Sequence, residues 1–271
     1  MNKLNLPKIG LGTWMLTGET CTKSVIDGLD MGYRLVDTAQ IYGNEKEVGD
    51  AIAATSIPRK DYILATKLWI ANFSPKKVHS SFKVSLSKLQ TDYVDILYVH
   101  WPITLTYRPE KTLGAMNELV KEGLVRHIGV SNFPIHRMQE AIDISETPIL
   151  ANQVEMHPRL RLQKLHAYNT SKNVYTIAYS PLGRGKIWNN PVLMEIAQKN
   201  EISVPEVCLA YVMSRGAVPI PKASSREHLK ANLNSQNITL SQEDIAKIET
   251  IPEKRLLNMP IVGPKWDKDD R

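Results

Sequence analysis

Short apolar segments alternate along the chain with longer stretches in which apolar and polar residues recur at helical spacing. The short segments are rich in β-branched residues and have turn-forming residues at their ends, which is typical of buried strands. Eight segments of this kind are predicted to be strands, at residues 9–11, 34–36, 62–66, 94–99, 127–130, 149–151, 174–178 and 217–220.

The stretches between these segments have the pattern of amphipathic helices, in which residues three or four positions apart share one face. Apolar residues with this spacing are Val78, Phe82, Leu86 and Leu89, then Leu113, Met116 and Val120, and finally Leu162 and Leu165. Proline is tolerated in the first turn of a helix, where its missing N–H costs no hydrogen bond. We therefore expect helices to begin at Pro75, Pro109 and Pro134.

The alternation of strand and helix predicts a parallel sheet, because parallel strands need long crossover connections that are usually helical. Eight repeats within 271 residues favour a closed α/β barrel of the (β/α)8 (TIM) type. The alternative is a doubly wound sheet of the Rossmann type. No linker, low-complexity stretch or shift in composition marks a boundary, so we predict a single domain over residues 1–271.

The glycine patterns argue against the two common phosphate-binding loops. Gly10 and Gly12 begin like the GxGxxG fingerprint of Rossmann sheets, but Met15 occupies the third glycine position. Residues 183–186 lack the glycine spacing of a P-loop, and Ile187 stands where serine or threonine is required. Any dinucleotide cofactor must therefore be held in another way.

The net charge and the composition limit the classes of partner that we expect for this protein. The formal net charge is +6, but the basic residues are scattered, which argues against a nucleic-acid partner and suits a small anionic ligand. No stretch has the roughly 20 apolar residues of a membrane helix, and the N-terminal residues lack the apolar run of a secretory signal. Cys21 and Cys208 form no CxxC pair, as expected in a reducing compartment. We expect a cytoplasmic protein with no membrane partner.

Candidate catalytic residues follow the predicted strands at the end where barrels place their active sites. Asp37 and Tyr42 follow the second strand, Lys67 follows the third, and His100 follows the fourth. The pKa of a free tyrosine is about 10, and a nearby ammonium lowers it by stabilising the tyrosinate. We expect Lys67 to have this effect on Tyr42, Asp37 to hold Lys67, and His100 to orient a substrate oxygen.

This set of side chains suits one reaction better than others. It supplies a general acid, but neither a nucleophile with an adjacent base nor a cluster of metal ligands, so we expect no metal. Reduction of a carbonyl needs one proton for the oxygen and an external hydride, and the set can supply the proton. Singly, Asp37 could cap a helix, Lys67 could be solvated, and His100 or Tyr42 could simply pack. Their joint position at one barrel mouth favours a functional interpretation.

Seven motifs then resemble, in order, those of the aldo-keto reductases. They are DTAQIYGNE (37–45), ATKLW (65–69), YVHWP (98–102), IGVSNF (128–133), NQVEMHP (152–158), AYSPLG (178–183) and IPK (220–222). The compact length is similar to that of the microbial members close to 2,5-diketo-D-gluconate reductase. The resemblance implies a (β/α)8 barrel that reduces aldehydes or ketones with NADPH, or less often with NADH.

The resemblance also assigns roles to individual residues. It matches the catalytic set to Asp37, Tyr42, Lys67 and His100. It implies cofactor contacts, in addition to Asp37, at Gly12, Thr13, Trp14, Ser131, Asn132, Gln153, Tyr179, Ser180, Leu182, Gly183, Lys222, Ser224, Ser225, Arg226, His228 and Asn232. Trp14, Trp69 and Trp101 are expected to line the substrate pocket, although aromatic residues near a mouth also serve in packing. Further pocket walls are expected near Trp188 and Trp266.

Two features depart from the family pattern. Only a short segment precedes the first strand, so the usual N-terminal hairpin is expected to be shortened or missing. Ala223 and His228 stand where many NADPH-using relatives have serine and arginine, and Ala231 replaces a more usual acidic residue. The resemblance therefore implies NADPH as the main cofactor, with NADH also used.

The leading hypothesis is an NAD(P)H-dependent reductase of small carbonyl compounds, with Tyr42 as general acid. The first alternative is a non-catalytic, NADP-binding regulatory subunit on the same fold, and the second is a barrel isomerase or lyase that needs no nicotinamide. The physiological substrate is left open. A monomer is predicted, with an oligomer as the alternative.

Overall fold

Eight parallel strands and the helices between them form the protein, in a computed structural model that describes residues 4–103, 105–257, 263, 264, 266 and 270. The strands are β1 (Leu11–Gly12), β2 (Leu35–Asp37), β3 (Ile63–Leu68), β4 (Val94–Val99), β5 (Val125–Ser131), β6 (Ile149–Glu155), β7 (Tyr175–Tyr179) and β8 (Val218–Pro219). The helices are α1 (Gly18–Met31), α2 (Glu45–Ala54), α3 (Pro75–Leu89), α4 (Pro109–Lys121), α5 (Ile135–Ile144), α6 (Gln163–Ser171), α7 (Pro191–Lys199), α8 (Val204–Ser214), α9 (Arg226–Asn234) and α10 (Gln242–Glu249).

The strands pair in chain order from β1 to β8, and every pairing is parallel. The sheet closes on itself, because the N–H of Gly10 donates to the carbonyl oxygen of Pro219 at 2.9 Å and that of Gly12 to Pro221 at 3.0 Å. A doubly wound sheet has open edges and no such bonds. The predicted (β/α)8 barrel is therefore confirmed, and the Rossmann-type alternative is wrong.

Amphipathic helices cover the barrel as their spacing predicts. On α3 the side chains of Val78, Phe82 and Leu89 are fully buried. Burial of such a side chain stabilises the fold by about 1.5–3 kcal/mol. Pro75 and Pro109 occupy the first turns of their helices, as predicted.

Three local predictions are wrong in detail. Pro134 lies one residue before α5 rather than in its first turn. Leu162 precedes α6 with a left-handed φ of 48°, so it is buried at the end of a loop and not on a helical face. Strand β6 continues through Asn152 and Gln153 to Glu155, whereas the apolar pattern ended at residue 151. These two polar residues stay in the strand because hydrogen bonds satisfy their amides, that of Asn152 to the carbonyl oxygen of Phe133 after β5 and that of Gln153 to the carboxylate of Asp37 inside the barrel.

The N-terminal end of the barrel is covered without a hairpin. Residues 4–10 contain no strand, and the side chains of Leu4 and Leu6 pack against apolar residues of the barrel interior. This cluster includes Leu35, Ile96 and Ile177, which come from separate strands. Two leucine side chains therefore fill the place at which the family pattern predicts a hairpin.

Candidate active site

The ends of β2, β3 and β4 bring the four predicted catalytic residues together. Lys67 on β3 is fully buried and contacts the carboxylate of Asp37 at the end of β2. Its ammonium also donates to the carbonyl oxygen of Thr38 at 2.8 Å and to the hydroxyl of Tyr42 at 3.3 Å. These three partners occupy the three N–H donors of the lysine, so its position is fixed.

Asp37 is held from two other sides. The side-chain amide of Gln153 on β6 donates to its second carboxylate oxygen at 2.7 Å. The backbone carbonyl of Asp37 accepts from the hydroxyl and from the N–H of Thr13, each at 3.0 Å. A buried carboxylate is costly unless it is paired and hydrogen-bonded, and here both conditions are met. The link to Gln153 spans the barrel interior and is one that the sequence alone did not suggest.

Tyr42 lies in the short helical turn Gln40–Tyr42, which follows β2, and its side chain is half-buried. Burial and the nearby Asp37 raise its pKa well above the ordinary value, while the Arg184 guanidinium acts in the opposite direction. The expectation that the pKa of Tyr42 lies below that of a free tyrosine is therefore wrong, because burial and Asp37 outweigh the Arg184 guanidinium. At neutral pH the hydroxyl keeps its proton, which a general acid requires.

His100 directly follows β4, and its side chain is buried. Burial and the charge of Lys67 lower the pKa of its imidazole well below the ordinary value, so the ring is neutral at pH 7. Its Nδ1 atom is buried and has no hydrogen-bond partner among the described residues. The ring lies edge-on to Tyr42, with centroids 5.8 Å apart, and to Trp69, with centroids 5.4 Å apart. A neutral imidazole at this place can hydrogen-bond to a substrate oxygen.

The ends of β5, β6 and β7 contribute a second group of polar side chains beside the first. Tyr179 donates its hydroxyl proton to the amide oxygen of Asn132 at 2.7 Å. The Asn132 amide nitrogen donates to the hydroxyl oxygen of Ser131 and to the carbonyl oxygen of His100, each at 3.1 Å. Ser131 in turn donates to the carbonyl oxygen of Gln153 at 2.8 Å. The sequence-predicted cofactor contacts at Ser131, Asn132, Gln153 and Tyr179 thus form one connected network.

The loop after β7 contains a residue that the sequence analysis missed. Ser180, Gly183, Arg184 and Gly185 all have left-handed backbone conformations. This turn brings the Arg184 guanidinium to 4.0 Å from the centre of the Trp14 ring, and its Nε donates to the Ser180 hydroxyl at 3.4 Å. The contact joins the loop after β1 to the loop after β7 on one side of the mouth, where only β8 separates the two strands. In the sequence analysis Gly183 was a cofactor contact, but residues 184–186 entered only as part of a rejected P-loop, so Arg184 received no role.

A third group of predicted cofactor contacts surrounds the N-terminus of α9. The exposed members are Lys222, Ser224, Ser225, Arg226 and His228. Ser225 is the N-cap of the helix, and its side chain accepts from the N–H of His228 at 3.2 Å. Asn232, by contrast, is buried on the inner side of α9. An exposed helix N-terminus flanked by cationic and hydroxyl side chains favours a phosphate group.

These three groups fit a nicotinamide dinucleotide. The neutral ring of His100 beside Tyr42 marks the reacting end, and the hydroxyl and amide groups of Ser131, Asn132 and Gln153 suit a carboxamide. Arg184 and the N-terminus of α9 provide positive charge for phosphates at two separate places. None of these groups belongs to a Rossmann-type glycine loop, in agreement with the failed fingerprint.

The tryptophans expected to line a pocket are distributed around the mouth. Trp69 contacts His100, and Trp14 is 38% exposed beneath Arg184. Trp101 follows His100 and is half-buried, whereas Trp188 is exposed. Trp266 packs under the guanidinium of Arg255 at 3.7 Å. Trp69 and Trp14 therefore have the best placement for a substrate wall.

A buried carboxylate attaches the C-terminal segment close to this mouth. Glu155, at the end of β6, accepts from the N–H groups of Leu256 and Leu257 at 2.8 and 3.1 Å, and His157 lies 3.1 Å from the same carboxylate. The register of the sheet places Glu155 opposite Tyr179. Neither Glu155 nor His157 was singled out in the sequence analysis, since both partners of Glu155 in the tail lie about a hundred positions away.

Two features of the described residues bear on other functions. No group of three or more His, Cys, Asp or Glu side chains in the described part of the chain is placed to hold a metal ion. Among the same residues, no helix combines the length and the apolar character that crossing a bilayer requires.

Comparison with known proteins gives consistent matches. The model of the aldo/keto reductase family matches residues 8–191 and 187–253. The chain is 39% identical to the methylglyoxal reductase DkgB of Escherichia coli O157:H7, over 97% of this chain and 99% of that protein. The structure resembles that of a putative 2,5-diketo-D-gluconic acid reductase B, with a TM-score of 0.93 and 36% identity over 97% of this chain and 94% of the other. It also resembles a Bombyx mori aldo-keto reductase in complex with NADP, with a TM-score of 0.85 and 28% identity over 94% and 92% of the two chains.

Proposed function

Because the chain belongs to the aldo/keto reductase family, we propose that it reduces small aldehydes and ketones with NADPH, with Tyr42 as the proton donor. The observation that carries this proposal is the position of the Lys67 ammonium, which contacts both the Asp37 carboxylate and the Tyr42 hydroxyl at the barrel mouth. Methylglyoxal is the first substrate to test, since a protein 39% identical over almost the whole chain carries that name.

The chemistry divides between the cofactor and the side chains. The hydride that reaches the carbonyl carbon comes from the nicotinamide cofactor. Neutral His100 hydrogen-bonds to the carbonyl oxygen and orients it towards Tyr42. Tyr42 donates its proton as negative charge develops on that oxygen, and the ammonium of Lys67, 3.3 Å from the phenolic oxygen, stabilises the resulting tyrosinate. Asp37 holds Lys67 in place throughout.

A single assay separates this function from its two alternatives. We expect the purified protein to oxidise NADPH in the presence of methylglyoxal, as measured by the loss of NADPH absorbance, and to leave NADPH unchanged without a carbonyl substrate. A regulatory subunit would bind NADPH, with a change in its fluorescence, but would not oxidise it with any of a panel of aldehydes, ketones and sugars. A barrel isomerase or lyase would not bind NADPH at all.

We propose in addition that the protein acts as a cytoplasmic monomer. Cys21 and Cys208 are both buried as free thiols, and burial raises the pKa of each to about 12. Such thiols are inert and form no disulfide. Gel filtration at several protein concentrations would reveal an oligomer.

The cofactor preference follows from the residues at the start of α9. Lys222 is exposed, and we assign to it the contact with the 2′-phosphate that distinguishes NADPH from NADH. We expect Lys222→Ala to weaken NADPH binding by about tenfold, since a hydrogen bond to a charged group is lost, and to leave NADH binding nearly unchanged. His228→Arg should strengthen NADPH binding selectively, because arginine is always charged and can bind phosphate with two N–H groups.

Dissociation constants for NADPH and NADH, measured by fluorescence titration of each variant, check both expectations. Equal weakening of the two cofactors in Lys222→Ala would show that Lys222 does not contact the 2′-phosphate.

A further inference from the structure

The first residue of α9 is held by a carboxylate on a different helix. The guanidinium of Arg226 contacts Asp27, which lies on α1 and is separated from it by 199 positions. The other carboxylate oxygen of Asp27 accepts from the ammonium of Lys23 at 3.0 Å. The Asp27 side chain is only 9% exposed, whereas that of Arg226 is 56% exposed. One partner is therefore fixed in the helix interface and the other is accessible to a ligand.

Arg226 is the strongest candidate for a phosphate ligand among the side chains around this N-terminus. Its guanidinium is always charged and offers several N–H donors in a rigid fork. Lys222 supplies a single ammonium group, and the ring of His228 lacks the fork of N–H groups that binds phosphate at two points. Ala223 supplies no hydroxyl. Because Asp27 occupies part of the guanidinium and brings a negative charge, it opposes the binding of a phosphate dianion here.

We propose that Asp27 determines the cofactor preference by neutralising Arg226. The preference for NADPH over NADH is therefore smaller than the cationic residues alone would produce. This inference rests on the proposed use of a nicotinamide dinucleotide. It names a residue outside the set implied by the family motifs, on a helix that does not carry the phosphate-binding segment. It also predicts the direction of the change when the carboxylate is removed.

Other contacts hold α9 in place, so the charge of Asp27 can be removed without displacing this helix. The hydroxyl of Tyr33, which follows the C-cap of α1, donates to the carbonyl oxygen of Leu229 on α9 at 3.0 Å. The side chain of Leu229 is fully buried next to this contact. The position of α9 therefore does not depend on the ion pair alone. Asp27→Asn keeps the size of the side chain and a hydrogen-bond acceptor, and it removes only the negative charge.

The test measures binding and not turnover. Fluorescence titrations with NADPH and NADH should show that Asp27→Asn strengthens NADPH binding by about five- to tenfold, with little change for NADH. The gain should shrink at high salt, because the pair is partly exposed. The fragments 2′,5′-ADP and 5′-ADP, which lack nicotinamide, should show the same contrast if the effect arises at the adenosine end. Thermal melting establishes that each variant is folded.

Two further variants show whether the effect depends on the contact between Asp27 and Arg226. Asp30→Asn removes an exposed negative charge from the same helix α1. Among the ion pairs of the described residues, Arg226 is joined to Asp27 and not to Asp30, so this control should leave the NADPH to NADH ratio unchanged. In the double variant with Asp27→Asn and Arg226→Gln, the gain for NADPH should disappear. An unchanged ratio in Asp27→Asn, or weaker NADPH binding, would overturn the inference and leave the proposed function intact. Failure of the wild type to bind either cofactor would instead contradict the proposed function itself.

Discussion

Tyr42→Phe is expected to lower the rate of carbonyl reduction by on the order of a hundredfold or more, the usual contribution of a positioned general acid. The substitution removes one oxygen atom and leaves the ring that lies 5.8 Å from His100. The phenolic proton is needed only as negative charge develops on the substrate oxygen, so the loss should fall on kcat. Cofactor binding should remain close to that of the wild type. Steady-state kinetics with methylglyoxal and NADPH, together with fluorescence titration of NADPH, measure both effects.

The control for this variant is Tyr168→Phe. Tyr168 lies on the outer helix α6, where its hydroxyl donates to Gln139 at 2.7 Å, so this substitution also removes one tyrosine hydroxyl but does so away from the barrel mouth. Its kinetics should match those of the wild type. If Tyr42→Phe turned over like the wild type, Tyr42 would not be the proton donor, and a water molecule or His100 would have to take that role.

The barrel could be predicted from the sequence because the pattern of apolar residues that specifies it is local and is repeated along the chain. Each apolar segment overlaps a strand, and the succession of strand and helix admits few topologies. The positions of Asp37, Lys67 and His100 followed from one further rule, that barrel strands end at the same mouth. Where polar residues continue a buried strand, as Asn152 and Gln153 do in β6, the local pattern fails. Their retention depends on partners from other strands, which no local pattern contains.

The residues that the sequence analysis missed were missed for the same physical reason. Arg184 contacts Trp14 from the loop after β7, and Asp27, which received no role in the sequence analysis, contacts Arg226 across 199 positions. Each contact depends on the closure of the barrel and on the orientation of the helix or loop that carries the residue. The direction of the Tyr42 pKa was likewise beyond the sequence. The motif indicated a nearby lysine, but burial and the carboxylate of Asp37 have the larger effect.

Lys67→Met is expected to damage both stability and catalysis, since it leaves the carboxylate of Asp37 buried without its cation. Loss of one partner from a buried ion pair costs about 3–5 kcal/mol in the free energy of unfolding. Gln153 still donates to Asp37 at 2.7 Å, but a neutral amide does not replace the charge. Urea denaturation measures the loss of stability. Lys83→Met, which removes an exposed lysine from the outer face of α3, is the matched control and should unfold like the wild type.

The catalytic effect of Lys67→Met should appear in the pH profile. Alcohol oxidation, the reverse reaction, needs tyrosinate as the base, and the ammonium 3.3 Å from the Tyr42 hydroxyl favours that form. Its removal raises the pKa of Tyr42 further, so the rise of the oxidation rate with pH should move to more alkaline pH. The double variant with Lys67→Met and Asp37→Asn removes both charges, and it should regain stability without regaining activity. A double variant with the wild-type pH profile would mean that Lys67 supports the fold alone and has no influence on the proton of Tyr42.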